Sequence, residues 1–261
     1  MRLAVADGEL EYTVAGDGPA LLLLHAFPLG QFMWEPQVAA LAATHRVIRF
    51  DARGFGGSSP GTGPLTMEGI ADDGAALLDH LRVDAATVMG CSMGGYAALA
   101  FVRRHPQRLR GLVLQDTRAG ADGDEARAGR ATLATKVLAE GATAAVAAFL
   151  PKLVGETSQR EQPALVARLR ERILATSPQA IAAALHGLAA RPDSGPTLAD
   201  VQVPTLVIVG AEDVLTPPAE SEAMAAAIRG ARLELVPRAG HLANLEQPDA
   251  LNAALASFLV S

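Results

Sequence analysis

The sequence predicts an α/β fold built on a largely parallel sheet with helices on both faces. Short apolar strand segments alternate with amphipathic helical segments over most of the chain. The later strand segments are apolar at every position, which is typical of parallel strands that are covered on both sides. This alternation stops after residue 117, where a run of amphipathic helices begins and continues to residue 191. Together these observations indicate an α/β domain that carries a helical insertion.

The first part of the chain supplies six of the predicted strands. They are predicted over residues 2–6, 10–14, 20–24, 46–50, 86–89 and 111–115. A tight turn at Asp7 and Gly8 separates the first two. Helices are predicted over residues 34–43, 67–81 and 96–104. The last of these ends before Pro106, because proline cannot continue a helix.

The segment 118–191 contains no convincing strand. Apolar residues at helical spacing predict three helices within it, around residues 133–138, 165–173 and 181–188. A stretch rich in Pro and Gly follows at 192–196 and closes the insertion.

After the insertion the alternation resumes, with strands over 205–209 and 233–236 and a helix over 250–259. A chain of 261 residues fits one domain that carries a large insertion. We therefore assign residues 1–117 and 192–261 to a core domain and residues 118–191 to a helical cap.

Composition and charge exclude several classes of partner. Half of the residues are hydrophobic, which suffices for a sizeable core. The formal net charge is −6 and no basic run is present, so no nucleic-acid partner is expected. No apolar run has the length of a signal peptide or a membrane span, so we expect a soluble, cytoplasmic protein without a membrane partner. Cys91 is the single cysteine, which excludes an internal disulfide.

A Gly-x-Ser-x-Gly pattern centred on Ser92 is the first candidate for catalysis. It follows an apolar strand and precedes a predicted helix, which is the context in which a serine becomes a nucleophile. Such a turn is sharp and strained, so it holds the hydroxyl clear of the backbone. Gly90 and Gly94 lack a Cβ and let the strand and the helix approach closely. The start of the helix adds free N–H groups and a positive dipole end where negative charge would develop.

Serine is a poor nucleophile without a base, and the base needs a third group to fix its tautomer. His241 is the predicted base, because it follows the last strand in a loop whose side chains point into a shared crevice. His25 is the alternative, since it ends a strand near the same crevice, but we expect it to orient the following loop by hydrogen bonds. Solvated or capping roles are expected for the other histidines, which are His45, His80, His105 and His186.

Three carboxylates compete for the role of the third group. Asp213 follows the strand 205–209 and is the first candidate, because the chain order Ser, Asp, His is one in which triads occur on such sheets. Asp116, at the end of the strand after the nucleophile, is the main alternative. Glu212 is the third, but it adjoins Asp213, and neighbouring side chains point different ways. Asp213 could instead cap the helix near Pro217.

Two backbone amides are predicted to stabilise the oxyanion. One is the N–H of Met93, the residue after the nucleophile. The second is the N–H of Phe27, in a loop after an early strand, because Pro28 has none to donate. One such donor typically contributes about 3–4 kcal/mol to stabilisation of the transition state. The alternative is that residues 25–30 are a simple turn after a strand.

No cofactor or metal is predicted. The glycine-rich loop 51–58 lacks the Gly-x-Gly-x-x-Gly spacing after the first strand, so no dinucleotide site follows. We expect Arg53 to pair with a carboxylate and the glycines to form a turn. Cys91 is interpreted as a small buried apolar residue, since it has no partners for a metal. No group of histidines and carboxylates has metal-site spacing.

Taken together, these residues resemble the α/β-hydrolase superfamily over nearly the whole chain. The matched motifs are residues 25–28, residues 51–58, residues 90–95, and Asp213 with His241 followed by Glu246 and Pro248. The resemblance implies a mostly parallel eight-stranded sheet, a helical cap after the sixth strand, and no metal or organic cofactor. Within the superfamily, the sequence is similar to small-ester hydrolases, 3-oxoadipate enol-lactonase-like proteins and cofactor-free perhydrolases.

Two positions depart from the usual pattern of the superfamily. Ala26 stands where glycine is usual, which could crowd the oxyanion loop, and Cys91 stands where many relatives carry His. Neither change removes a catalytic atom. Ser92 argues against dehalogenase or epoxide hydrolase chemistry, because both need a carboxylate nucleophile.

The predicted function is a serine hydrolase that cleaves carboxylic esters of small to medium size through an acyl-enzyme. A lactonase, a perhydrolase or a carbon–carbon bond hydrolase would use the same triad. Pro28 beside the oxyanion donor makes the perhydrolase a plausible alternative. A ligand-binding protein that retains the fold without catalysis is the non-enzymatic alternative. The sequence does not indicate the acyl and alcohol specificity or the oligomeric state.

The cap is expected to roof the pocket and to select substrates. Apolar residues predicted to line the pocket are Phe27, Trp34, Met93, Phe149, Leu215 and Leu242. Arg118, Lys136 and Lys152 in the cap could attract an anionic substrate, but we interpret them as solvated surface charges.

Overall fold

The computed structural model of the protein describes residues 1–260. Its strands are Arg2–Val5 (β1), Gly8–Ala15 (β2), Ala20–Leu24 (β3), Arg46–Phe50 (β4), Ala86–Cys91 (β5), Leu109–Gln115 (β6), Thr205–Gly210 (β7) and Arg232–Val236 (β8). Each corresponds to a predicted strand, and no end differs by more than two residues.

The helices alternate with the strands in the core and follow one another in the insertion. They are Glu35–Leu41 (α1), Met67–His80 (α2), Met93–Arg104 (α3), Asp124–Glu140 (α4), Thr143–Leu153 (α5), Glu156–Glu161 (α6), Pro163–Leu174 (α7), Pro178–Ala190 (α8), Gly195–Leu198 (α9), Pro218–Ala227 (α10), Ala243–Glu246 (α11) and Pro248–Leu259 (α12). Two short 3-10 turns, Gln31–Trp34 and Pro106–Arg108, complete the described elements. The helix predicted over 34–43 is therefore a 3-10 turn followed by α1.

The strands form one eight-stranded sheet in the order β1-β2-β4-β3-β5-β6-β7-β8. β2 pairs antiparallel with both β1 and β4. The remaining pairs are all parallel. The predicted α/β fold with a mostly parallel sheet is thus confirmed. Because the parallel strands run in the same direction, the loops that follow them meet along one edge of the sheet.

The middle of the sheet is buried on both faces. Leu22, Val88 and Ile208 lie on β3, β5 and β7, and none of them has exposed surface. α3 packs against β3, β5 and β6, and α2 packs against α3. Complete burial of such a side chain contributes about 1.5–3 kcal/mol. The central strands are therefore a rigid platform for the loops at their carboxyl ends.

The insertion contains five helices, α4 to α8, where the sequence predicts three. The additional helices are α5 and α6. α5 has apolar residues at helical spacing, which the sequence analysis missed; they are Val146, Phe149, Leu150 and Leu153. α6 is short and polar throughout. α6 therefore lacks the apolar periodicity on which the prediction depends.

Within residues 1–260, no single helix is both long and apolar enough to cross a membrane. The bent pair α7 and α8, which meet at an angle of 96°, is long and apolar enough for a broken membrane span by length and composition alone. Leu169 and Ile173 on α7 and Ile181 and Leu185 on α8 are completely buried within the protein.

Candidate active site

Ser92 lies at the turn between β5 and α3. Its backbone has φ 53° and ψ −113°, a conformation that residues with a side chain rarely adopt. A Cβ at Gly90 would overlap the carbonyl oxygen of Gly94, and a Cβ at Gly94 would overlap the carbonyl oxygen of Leu24. The strand and the helix approach so closely that only glycine fits at these two positions, so the turn is as sharp as the sequence predicts.

His241 and Asp213 meet at the carboxyl edge of the sheet, where Asp213 follows β7 and His241 follows β8. Nδ1 of His241 lies 2.8 Å from Oδ2 of Asp213. The two side chains are 2% and 0% exposed. Because an ionised carboxylate can only accept, Nδ1 carries the proton and Nε2 is the basic nitrogen. Nε2 makes no hydrogen bond within the described part of the chain.

The Thr216 hydroxyl completes this arrangement. It donates to Oδ2 of Asp213 at 2.6 Å and lies 3.2 Å from Nδ1 of His241. The N–H groups of Leu215 and Thr216 donate to Oδ1 of Asp213 at 2.8 and 3.1 Å. The carboxylate is therefore held by its own loop as well as by the imidazole. The sequence analysis missed Thr216, although a hydroxyl residue three positions after the candidate aspartate could have indicated it.

The charges of Asp213 and His241 stabilise each other. Burial alone would lower the pKa of His241, but the charge and the hydrogen bond of Asp213 outweigh burial and raise it. Burial opposes ionisation of Asp213, but the interactions with His241 and Thr216 outweigh it and lower the pKa of this carboxyl. Asp213 is therefore ionised at neutral pH, and the site favours a proton on His241.

Asp116, the main alternative acid, lies close to this pair but contacts other groups. Its carboxylate accepts from the Gly210 N–H at 2.8 Å and from the Gln115 side-chain amide at 2.9 Å. Burial, followed by the nearby charge of Asp213, raises the pKa of Asp116 to about 8. No hydrogen bond joins it to His241 within residues 1–260. Asp116 holds the end of β7, from which the Asp213 loop begins.

Glu212, the third carboxylate, points towards the cap. It accepts from the N–H of Thr157 at 2.8 Å and also from the hydroxyl of Thr157. Thr157 lies in the first turn of α6, where a carboxylate stabilises the unpaired amides of a helix start. Asp213 and its neighbour Glu212 therefore point in different directions, as the sequence predicts.

Glu246 is buried and brackets the histidine. Its Oε1 accepts from the N–H groups of Gly240 and Leu242 at 2.9 and 3.1 Å, on either side of His241. Its Oε2 accepts from the N–H of Gly155 in the cap at 2.7 Å. One carboxylate thus fixes the backbone around His241 and fastens the cap to it.

His25, the alternative base, uses both ring nitrogens in the fold. Nε2 accepts from the Ala52 N–H at 2.9 Å, so Nδ1 carries the proton and donates to the Ala26 carbonyl at 3.0 Å. Burial lowers the pKa of His25. The expectation that His25 orients its loop is confirmed, and no nitrogen is left to act as a base.

The amides of Phe27 and Met93 are available for an oxyanion. Both residues line the cavity that also contains Ser92 and His241. Neither N–H donates to another group among residues 1–260. Met93 begins α3, so its amide is one of the unpaired donors at a helix start. Two such donors are the arrangement that oxyanion stabilisation requires.

The cavity at Ser92 has a volume of about 70 Å³. It is lined by Phe27, Ser92, Met93, Tyr96, Arg118, Arg130, Phe149, Leu188, Leu215, Thr216 and His241. Trp34 and Leu242, which the sequence predicts in the lining, are absent from it and have no exposed surface. Their assignment to the pocket is corrected, because these two apolar side chains pack into the core instead.

The interpretation of Arg118 as a solvated surface charge is also corrected. Arg118 lines the cavity together with Arg130, for which the sequence analysis gave no indication. Lys136 and Lys152 are exposed and lie outside the lining, in agreement with the interpretation of them as surface charges.

A larger cavity of about 590 Å³ lies elsewhere, between the first strands and α7. Gln31, Arg49, Asp51 and Arg172 are part of its lining, which includes neither Ser92 nor His241. Size alone would favour this cavity, but it lacks a nucleophile beside a base. The chemistry of the side chains therefore assigns the site to the smaller cavity.

Within residues 1–260, no group of three or more His, Cys, Asp or Glu residues could hold a metal ion. Arg53 pairs with Asp7 at 2.9 Å and with Asp73 at 2.8 Å, which confirms that it contacts carboxylates. Cys91 is completely buried, as expected for a small apolar residue.

The whole chain is similar to known hydrolases. The model of a family described as alpha/beta hydrolase fold matches residues 19–248. The chain is 32% identical over 257 residues to 3-oxoadipate enol-lactonase 2 of Acinetobacter baylyi, across 97% of this chain and 94% of that protein.

Two solved structures are similar over almost their entire length. The thermophilic esterase from Thermogutta terrifontis, with malate bound, is 40% identical at a TM-score of 0.97, across 99% of this chain and 98% of that one. The enol-lactonase from Burkholderia xenovorans LB400 is 32% identical at a TM-score of 0.93, across 100% of both chains.

Proposed function

The chain belongs to the α/β hydrolase fold family, and on that premise we propose that it is a serine hydrolase that cleaves small carboxylic esters through an acyl-enzyme. One observation carries the proposal: Ser92, held at positive φ, and His241, held by Asp213, line the same small cavity. Similarity to an esterase and to enol-lactonases supports it. The modest cavity volume of about 70 Å³ favours small substrates.

In the first step, the Ser92 oxygen bonds to the acyl carbon while Nε2 of His241 takes the hydroxyl proton. No hydrogen bond joins Ser92 to His241 among residues 1–260, and catalytic hydrogen bonds of this kind often form only with substrate bound. The carbonyl oxygen becomes an oxyanion, which the N–H groups of Phe27 and Met93 stabilise. The bond to the alcohol then breaks, and His241 returns its proton to the leaving oxygen.

In the second step, water attacks the acyl-enzyme and His241 takes the water proton. The second tetrahedral intermediate collapses, the proton passes to the Ser92 oxygen, and the carboxylic acid leaves. Asp213 stays ionised throughout, fixes the tautomer of His241 and stabilises the imidazolium that forms in both steps.

A lactone is the second candidate substrate. A lactone is a cyclic ester, so the same residues would open it and the alcohol would remain attached to the acyl group. Similarity to an enol-lactonase across 97% of the chain favours this alternative. Comparing kcat/KM for lactones and for linear methyl esters of the same acyl length would show which class is preferred.

Replacement of the nucleophile tests the proposal. Ser92→Ala should lower kcat for p-nitrophenyl acetate by about a million-fold, because no acyl-enzyme can form. Ser257→Ala is the matched control, since Ser257 is an exposed serine on α12 that accepts from Arg232 at 3.3 Å. Its turnover should equal that of the wild type. A folded Ser92→Ala protein with near wild-type turnover would refute the proposal.

A further inference from the structure

Three arginine side chains meet on one buried carboxylate beside the cavity. Nη2 of Arg118 and Nη2 of Arg191 lie 2.6 and 2.9 Å from Oδ1 of Asp122, and Nε of Arg130 donates to its Oδ2. The Asp122 side chain has no exposed surface. Burial opposes its ionisation, but the interactions with Arg191 and Arg130 outweigh burial and hold the pKa of Asp122 well below its usual range.

This cluster carries more positive charge than it neutralises. Three guanidinium groups contact a single carboxylate, which leaves two positive charges without a hydrogen-bonded anion. Glu220 also attracts Arg118 electrostatically, but no hydrogen bond or ion pair joins these two residues within residues 1–260. Partly buried charges are costly to leave unpaired. The cluster therefore favours an anion that the chain itself does not supply.

Arg191 is enclosed within the fold, where both of its terminal nitrogens have partners and only its buried Nε has none among residues 1–260. Its side chain is 3% exposed and donates to the carbonyls of Leu188 and Gly120 at 2.8 and 3.1 Å. Its guanidinium also lies 4.2 Å from the centre of the Tyr96 ring, where a cation is attracted to the aromatic face. Arg191 thus holds Asp122 in place and has little freedom to bind anything else.

Arg118 and Arg130 differ from Arg191 because they reach the cavity and each contacts only one acceptor side chain in the described part of the chain. Asp122 is the only acceptor that either of them contacts within residues 1–260. The buried Nε of Arg118 has no partner there. Both side chains line the cavity that contains Ser92 and His241, and they are 27% and 19% exposed.

We propose that the substrate carries a carboxylate group, which Arg118 and Arg130 bind while its ester carbonyl meets Ser92. The inference rests on the proposed function and names the substrate class of the same site. Guanidinium groups bind carboxylates through parallel, charge-assisted hydrogen bonds. Asp122 fixes both guanidinium groups before the substrate arrives, so little ordering is needed on binding. The small volume of the cavity favours a short spacer between the carboxylate and the ester.

The experiment compares two esters that differ in one group. Monomethyl glutarate carries a carboxylate, whereas methyl 4-carbamoylbutanoate carries a neutral amide of nearly the same shape. kcat/KM is measured for both at neutral pH by titration of the acid released. The wild type should prefer the anionic ester by about 10- to 100-fold, the range expected for charge-assisted hydrogen bonds.

Two variants assign that preference to residues. Arg118→Gln and Arg130→Gln should each reduce the ratio of the two kcat/KM values by about 10-fold or more. Arg127→Gln is the matched control, because it removes an exposed arginine from the same helix as Arg130, where Arg127 pairs with Asp124. It should keep the wild-type ratio.

Equal kcat/KM values for the two esters in the wild type would overturn the proposal and leave the serine hydrolase intact. A preference that both Gln variants retain would do the same. If neither variant folds, the wild-type ratio decides alone. If no ester is hydrolysed, the proposed function fails, and calorimetry with glutarate tests the carboxylate site by itself. Binding of glutarate by the wild type and by Arg127→Gln, with weaker binding by Arg118→Gln and Arg130→Gln, supports the site. No binding by the wild type overturns it.

Discussion

Asp213 controls the proton affinity of His241 at the scale of single residues. Because Asp213 raises the pKa of His241 above its ordinary value, kcat/KM should fall on the acid side through a pH above about 6.5. Below that pH, Nε2 is protonated and cannot act as a base. In Asp213→Asn, burial lowers the pKa of His241 and only the weaker effects of Asp116 and Glu246 oppose it, so the acid limb should move to lower pH.

The same variant should lower kcat by about ten-thousand-fold, because the amide no longer fixes the correct tautomer. The pH–rate profile is measured with a neutral ester such as p-nitrophenyl acetate. An acid limb at the same pH in wild type and Asp213→Asn would show that Asp213 does not control His241.

Asp116 gives a prediction about stability. Its pKa is about 8 in the folded protein, against about 3.9 for an unfolded chain. Its contribution to folding is therefore fully present below about pH 4 and is lost as the pH rises through about 8. The asparagine of Asp116→Asn cannot ionise. The melting temperature of this variant should therefore rise relative to that of the wild type between about pH 5 and pH 8. A difference in melting temperature that stays constant over this pH range would contradict the raised pKa of Asp116.

The sequence could identify residues whose role depends on a local pattern. Ser92 is identified by its turn between a strand and a helix, and His241 by its position after the last strand. The pocket lining was predicted in part. The cavity is lined by the predicted Phe27, Met93, Phe149 and Leu215, whereas Trp34 and Leu242 are buried in the core. The position of Arg130 in the lining could not be predicted, because the packing of α4 against α8, rather than the nearby sequence, decides which way this side chain faces.

At the scale of secondary-structure elements, the turn between β5 and α3 depends on glycine. Gly94→Ala would place a Cβ against the Leu24 carbonyl, a main-chain atom that cannot move aside easily. The free energy of unfolding should fall by about 1–3 kcal/mol. Turnover should fall as well, because the backbone that carries Ser92 must shift. Thermal denaturation and ester hydrolysis measure the two effects.

Gly129→Ala in α4 is the control for this substitution. No atom lies within 4 Å of a Cβ built at Gly129. Alanine in place of a helical glycine should therefore stabilise the protein by about 0.4–1 kcal/mol. If both variants changed the melting temperature equally, the close approach of α3 to the end of β3 would not be what Gly94 provides.

The strands could be predicted almost completely, because the central ones are apolar runs and the outer ones alternate apolar with polar residues, between turn residues. The cap helices were predicted only where an apolar stripe repeats at helical spacing, as in α7 and α8. α6 lacks such a stripe, and contacts with distant parts of the chain hold it, such as Glu212 with Thr157. Long-range contacts of this kind leave no local pattern in the sequence.

At the scale of the whole molecule, the cap and the core are joined through the loops of the site. Glu246 contacts both the cap, at Gly155, and the loop of His241. Glu212, next to Asp213, contacts Thr157 in the cap. The loops that hold the base and the acid therefore also anchor the roof of the cavity. The position of the insertion in the chain was predictable, whereas these attachments were not, because they join residues far apart in sequence.

Covalent labelling with a fluorophosphonate tests the central claim most directly, since this reagent reacts with a serine that a neighbouring base activates. The account predicts a single adduct in the mass of the intact protein, on Ser92 by peptide mapping, with labelling strongly slowed in His241→Ala. An adduct on another residue, or a Ser92→Ala protein that is labelled as fully as the wild type, would contradict it.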